Sequence, residues 1–183
     1  MNFEYHTKHL VLKVLHPSQA SMVLRFYQKN QSFLEPYEPS RHSNFYTLDF
    51  QRANLSYEYN AFLKSSYLRI WLFEKEYQEL PVGTICFSNF LHGAFCNCML
   101  GYKTDQDYLR KGYMAEALSF LLPLVCQEYH FHRIEAYVMP SNLPSIRLLE
   151  KLSFVQEGLL HDYAKIQGIW QDHYLYTYFT ERL

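Results

Sequence analysis

The chain has 183 residues, enough for one domain, residues 1–183, that buries about two-thirds of its unfolded surface. An apolar fraction of 49% against 19% charged residues excludes a disordered or fibrous chain, and a net charge of -1 without a basic block excludes the electrostatic footprint of direct nucleic-acid binding. No apolar run reaches the roughly 18 residues of a spanning helix, so no membrane partner is expected and the chain reads as cytoplasmic.

Leu10, Leu12 and Val14 alternate with Val11, Lys13 and Leu15 until His16-Pro17-Ser18 stops the run, which predicts a strand over residues 8–15. Ser18 can cap a helix carrying Ala20, Val23, Leu24 and Tyr27 at helical spacing. Phe33-Leu34-Glu35-Pro36-Tyr37-Glu38-Pro39 is an aromatic loop whose two prolines forbid a regular helix, and the helical pattern resumes over residues 46–64.

Residues 67–73, 82–90 and 95–104 read as three strands with short connections, an antiparallel meander. Cys96 and Cys98 then share one strand face, and all four cysteines read as free thiols in a reducing compartment. The period turns helical from Gly112 to about Tyr129, with a kink expected at Pro123. A strand over 133–139, a short helix over 145–152 and two strands over 154–179, turning near Gln167-Gly168, complete the order. The fold class is α/β: a mixed, mostly antiparallel sheet with flanking helices and one parallel strand-helix-strand crossover.

That crossover holds the clearest chemical signal. Leu100-Gly101-Tyr102-Lys103-Thr104 is followed by a short loop and by Arg110-Lys111-Gly112-Tyr113-Met114-Ala115, which opens a helix. A helix start aims unpaired N–H groups and a positive dipole end at one spot, so it can hold a pyrophosphate, and Gly112 permits close approach. A dinucleotide fold is excluded, because no G-x-G-x-x-G follows the first strand.

The runs Phe87-Ser88-Asn89-Phe90, Leu100-Gly101-Tyr102, Lys111-Gly112-Tyr113-Met114-Ala115-Glu116-Ala117-Leu118, His132-Arg133-Ile134 and Asn142-x-x-Ser145 stand in order along the chain. Glu157-Gly158, Asp162-Tyr163 and Gly168-x-Trp170-x-Asp172-His173 continue them. With these runs the chain resembles the GNAT acetyltransferases, specifically the Rim-type (RimJ-like) branch that acetylates the N-terminal alanine of a ribosomal protein. The resemblance implies a GNAT fold with a V-shaped cleft for acetyl-coenzyme A (acetyl-CoA). Its pyrophosphate would lie on the backbone of Arg110, Lys111, Gly112, Tyr113, Met114 and Ala115, and its pantetheine beside Tyr102, Lys103 and Thr104, with Asn142 as a further contact. Leu109 and Met114 depart from the usual residues of the phosphate loop.

By the same resemblance Ser145 serves the leaving thiolate, although a serine there could equally cap its helix. The two usual positions of a basic carboxylate hold Met99 and Ala164, which leaves Asp162 and Glu38 as candidates for the general base. His132 and His173 read as packing or turn residues. Phe33, Tyr37 and Glu38 are candidates to line an acceptor groove. The acceptor is expected to be a protein N-terminus or a small amine, with a low-activity acyl-CoA-binding protein as the third reading. A monomer or a homodimer fits equally.

Overall fold

The computed structural model describes residues 1–180. Among them, eight strands form one sheet: β1 (Glu4–His6), β2 (Leu10–Lys13), β3 (Leu68–Glu74), β4 (Gly83–Leu91), β5 (Asn97–Thr104), β6 (Arg133–Val138), β7 (Val155–Ile166) and β8 (Ile169–Phe179). Their spatial order is β1-β2-β3-β4-β5-β6-β8-β7, antiparallel everywhere except between β5 and β6. The helices are α1 (Ala20–Lys29), α2 (Gln31–Leu34), α3 (Leu48–Leu63), α4 (Tyr113–Tyr129) and α5 (Leu143–Lys151). No helix of the described residues is long and apolar enough to cross a membrane.

Strand alternation divides the apolar residues between two faces. Leu10, Leu12, Ile70, Leu72, Ile85, Phe87 and Ile134 pack beneath α4, which contributes Ala117, Leu118, Leu121 and Val125. Val11, Trp71 and Phe73 point the other way, against Ala20, Val23, Phe26 and Tyr27 of α1 and Leu55 of α3. The β2–β3 part of the sheet is thus covered on both sides.

Several expectations shift in detail. The polar triplet forming β1 has no hydrophobic alternation to reveal it, yet it pairs antiparallel with β2. The first of the two prolines, Pro36, stands inside a single 3₁₀ turn over Glu35–Tyr37, where a missing N–H costs little. Thr47 caps α3 by accepting from the Phe50 N–H. Cys96 lies not on β5 but in the turn before it, at φ 45°, with its thiol donating to the Gly93 carbonyl at 3.0 Å. Pro123 stays inside α4, where both it and Ser119, whose carbonyl its ring leaves without an amide donor, are exposed residues, so solvent can take the place of the missing donor. Gln167 and Gly168, both at positive φ, form the two-residue turn between β7 and β8.

Candidate functional site

The parallel ladder between β5 and β6 is short. It joins Asn97 to Arg133, Cys98 to Ile134 and Met99 to Glu135, and then stops. β5 nevertheless stays paired with β4 as far as Thr104, and β6 with β8 as far as Val138. Each strand is held by its outer neighbour while the inner edges part, so alternate backbone N–H and C=O groups of residues 100–104 lack a strand partner on that side. The parting opens a cleft of about 710 Å³. Residues 100–104 form one wall, residues 136–139 the other, with Asn142 and Ser145 from α5 and residues 33–34 and 37–41 closing further sides.

The loop from β5 to α4 is anchored from beneath. Asp105, only 2% exposed, receives Lys29 Nζ at 2.8 Å, Asn30 Nδ2 at 2.9 Å and the Asp107 N–H at 2.9 Å. The Gln106 N–H in turn reaches Asn30 Oδ1 at 2.9 Å. This buried network fixes where α4 begins. Gly112 is its N-cap at φ 81° and has no side chain to cap with, so the N–H groups of the first turn remain available. The first-turn acid, Glu116, is drawn away: its carboxylate accepts from Thr7 Oγ1 at 2.6 Å and the His9 N–H at 2.7 Å. Lys111 sits over the Tyr108 ring at 4.2 Å and near Glu74 at 3.8 Å, whereas Arg110 lines the cleft. Met114 is buried and Tyr113 donates to Glu74 Oε1 at 2.6 Å, so Tyr113, Met114 and Ala115 can offer the helix start only their backbone. An uncapped 17-residue helix start beside an unpaired strand edge fits a coenzyme that carries a pyrophosphate and an amide-bearing arm.

Tyr102 and Ser145 meet across the cleft, their hydroxyls 2.6 Å apart. Burial pushes the Tyr102 phenol up to about 12, so it stays protonated. Ser145 does not cap α5. That place belongs to Asn142, whose Oδ1 accepts from the Ser145 N–H at 3.3 Å, and the serine hydroxyl is left for Tyr102. Capping was the alternative for Ser145, and the observed helix start, two residues earlier than expected, removes it.

Phe33, Tyr37, Glu38, Tyr102, Lys103, Thr104, Arg110, Asn142 and Ser145 all line the cleft. Asp162 lies outside it, exposed on a bulge of β7 at φ 49°, with its N–H donating to Asp172 Oδ1 at 2.9 Å. Glu38 is buried and ion-paired to both Lys103 and Arg41. Burial would raise its carboxyl, but the two cations outweigh that and hold it below the ordinary carboxylate range. A carboxylate held this way is a weak proton acceptor and a firm anchor. Arg41 and His173 also line the cleft, and sequence reasoning missed both. The strand parity of β8 was the available signal for His173: Tyr174 and Tyr176 face α4, which puts their neighbour on the opposite face. Arg69 also reaches the lining but is matched by Glu58 at 2.6 Å, which leaves Glu38 against Arg41, Lys103 and Arg110, a surplus of cations although the chain as a whole is nearly neutral.

A model of the acetyltransferase (GNAT) domain family matches residues 9–155. The chain is 36% identical over 171 residues to the ribosomal protein uS5-alanine N-acetyltransferase of Escherichia coli K12, covering 92% of this chain and 87% of that protein. Its fold is similar to the ribosomal-protein-S5-alanine acetyltransferase of Vibrio fischeri, with a TM-score of 0.93 and 26% identity over 98% of both chains. It is also similar to Mycobacterium smegmatis RimJ in complex with CoA-disulfide, with a TM-score of 0.86 and 26% identity over 94% of this chain and 82% of that one. The chain belongs to the GNAT acetyltransferase family as an N-acetyltransferase that takes its acetyl group from acetyl-CoA.

Proposed function

We propose that this chain, acting as one acetyltransferase domain in the cytoplasm, acetylates the N-terminal α-amine of a protein that begins with alanine. The observation that carries this reading is the charge of the cleft. Its one carboxylate, Glu38, is already matched by two cations, Arg69 is matched by Glu58 at 2.6 Å, and Arg110 adds a further positive charge. A polyamine or aminoglycoside would bring several positive charges into that field, whereas a peptide terminus brings one and loses it on reaction. The relatives named above, which act on a ribosomal protein's alanine, support the same choice.

When bound, acetyl-CoA supplies an acetyl thioester activated toward an amine. The backbone of Arg110, Lys111, Gly112, Tyr113, Met114 and Ala115 binds the pyrophosphate, with the Arg110 side chain adding charge. The open edge of Tyr102, Lys103 and Thr104 pairs with the pantetheine amides, and Asn142 holds the turn beside it. Phe33, on α2, and Tyr37 pack against the first side chain of the acceptor, and Glu38 fixes the turn that carries Tyr37. The Ser145 hydroxyl, backed by Tyr102, passes a proton to the departing sulfur.

The same cationic cleft also suits a small amine that carries a carboxylate or phosphate, and this is the second reading. Acetyl-CoA consumption with peptides beginning Ala, Ser or Met, with spermidine and an aminoglycoside, and with amino acids separates the cases. The expected result is turnover on Ala-starting peptides at least about 100-fold above any polycation in kcat/KM. Preference for a polycation overturns the charge argument, and preference for free amino acids selects the second reading.

A further inference from the structure

We propose that His173 is the proton acceptor of the reaction, taking a proton at Nε2 from the acceptor ammonium directly or through one water. The inference rests on amine acetylation in this cleft, not on which amine is used.

The ring is placed by β8. Tyr174 and Tyr176 belong to the core beneath α4, so His173, one residue earlier, projects from the opposite face of the sheet. The next residue along β8, Tyr174, pairs with Val138, the last residue of β6, which puts His173 just beyond the end of that ladder, where the cleft opens. The ring lines that cleft together with Glu38 and Arg41 of the acceptor loop.

Its protonation pattern follows from one contact. Nδ1 lies 3.0 Å from the carbonyl oxygen of Gln171, which can only accept, so Nδ1 carries the hydrogen. In the neutral ring Nε2 is then a bare lone pair. It has no hydrogen-bond partner among the described residues. Tyr163 packs on the ring at 5.3 Å between centroids and is itself stacked on Tyr137 at 4.6 Å, so the imidazole is wedged rather than free.

Neither carboxylate considered for this role has the right chemistry. Glu38 is held as an anion by Lys103 and Arg41, and Asp162 faces solvent outside the lining. The titratable groups around the ring are Tyr163 from β7, Tyr137 from β6 and Asp172 beside it in β8, with Glu38, Arg41 and Lys103 across the cleft. The Asp172 carboxylate is occupied by His161 Nδ1 at 3.0 Å and the Asp162 N–H, so it does not compete for Nε2. The surrounding cations also favour loss of the ammonium charge.

The balance closes. The acceptor nitrogen sheds two protons in becoming an amide. The first passes to Nε2 and from there to water. As the N–C bond forms and the C–S bond breaks, the second reaches sulfur by way of the Ser145 hydroxyl. No oxidant or further reactant is needed.

The test uses His173→Asn, whose amide can still donate to the Gln171 carbonyl, and His173→Ala, each with an Ala-starting peptide and with alaninamide. The expected result is a fall in kcat/KM on the order of 100-fold at pH 7 for both acceptors, with the acetyl-CoA Kd changed by less than about twofold. The deficit narrows towards pH 9, because an α-amine, with a reference pKa near 8, then loses its proton unaided. Added imidazole restores part of the rate of His173→Ala. Nitrogen-15 NMR of the wild-type ring should show Nδ1–H with Nε2 bare. A deficit that is the same at every pH and is not rescued makes His173 a packing residue and overturns the proposal, as does the opposite tautomer. Turnover of alaninamide without turnover of the peptide fails the protein-acceptor reading alone and still reads His173.

Discussion

Tyr102 and Ser145 sit on different elements, and neither means much without the other. The Asn142-x-x-Ser145 spacing brought the serine forward on resemblance alone. The phenol that meets it could be read only as part of a strand edge, because the 2.6 Å contact depends on how β5 and α5 converge. Burial keeps the Tyr102 proton on oxygen, which leaves the pair a donor through neutral pH. Ser145→Ala should lower kcat about tenfold or more while the acetyl-CoA Kd stays nearly constant, since the helix cap is Asn142 and survives the change. Tyr102→Phe should cost a similar factor. If the two hydroxyls act as one relay, the double variant loses little beyond either single one, a coupling visible in a double-mutant cycle. Fully additive losses would separate the two roles.

At the scale of elements, periodicity exposed the long helix, the meander and the final hairpin, because each buries one face and so repeats at 3.6 or 2 residues. It could not expose β1, whose three residues bury little, nor the network of Lys29, Asn30 and Asp105, which joins residues 75 or 76 positions apart. That network matters because it sets the start of α4, where the glycine was legible and its support was not. Gly112 stands at φ 81° with no atom within 4 Å of where a Cβ would sit. Gly112→Ala therefore tests backbone strain alone, worth about 1–2 kcal/mol of stability. Gly112→Glu adds a carboxylate at the end of the helix that would face a pyrophosphate. The expected outcome is a modest fall in melting temperature for both variants, with acetyl-CoA binding, read by calorimetry, lost only in Gly112→Glu. Wild-type affinity in that variant would falsify the phosphate assignment.

Across the whole molecule, the acceptor side of the cleft is assembled from distant parts of the chain. Gln167, at the β7–β8 turn, donates to the Glu35 carbonyl at 3.1 Å and the Glu38 carbonyl at 3.0 Å, and the Glu38 side chain ties the same loop to Lys103 on β5. Residues 35–41 are thereby clamped between the hairpin tip and the meander, a relation no local pattern could announce. Glu38 is the charged part of that clamp, and its lowered carboxyl makes the clamp sensitive to acid. A carboxyl whose folded pKa lies below its unfolded value stabilises the fold above the unfolded pKa, here 4.5, and the contribution disappears as pH falls through the folded value. Glu38→Gln keeps the size of the side chain but leaves Lys103 and Arg41 without their anion, at a cost of about 3 kcal/mol near neutral pH. Denaturant unfolding of wild type and variant should differ by that amount at pH 7, and the two curves should converge as the pH is lowered past 4.5 and wild-type Glu38 takes up its proton. A difference that stays constant through the acid range would assign the cost to altered packing of the loop and remove charge pairing as the reason residues 35–41 hold their place over the cleft.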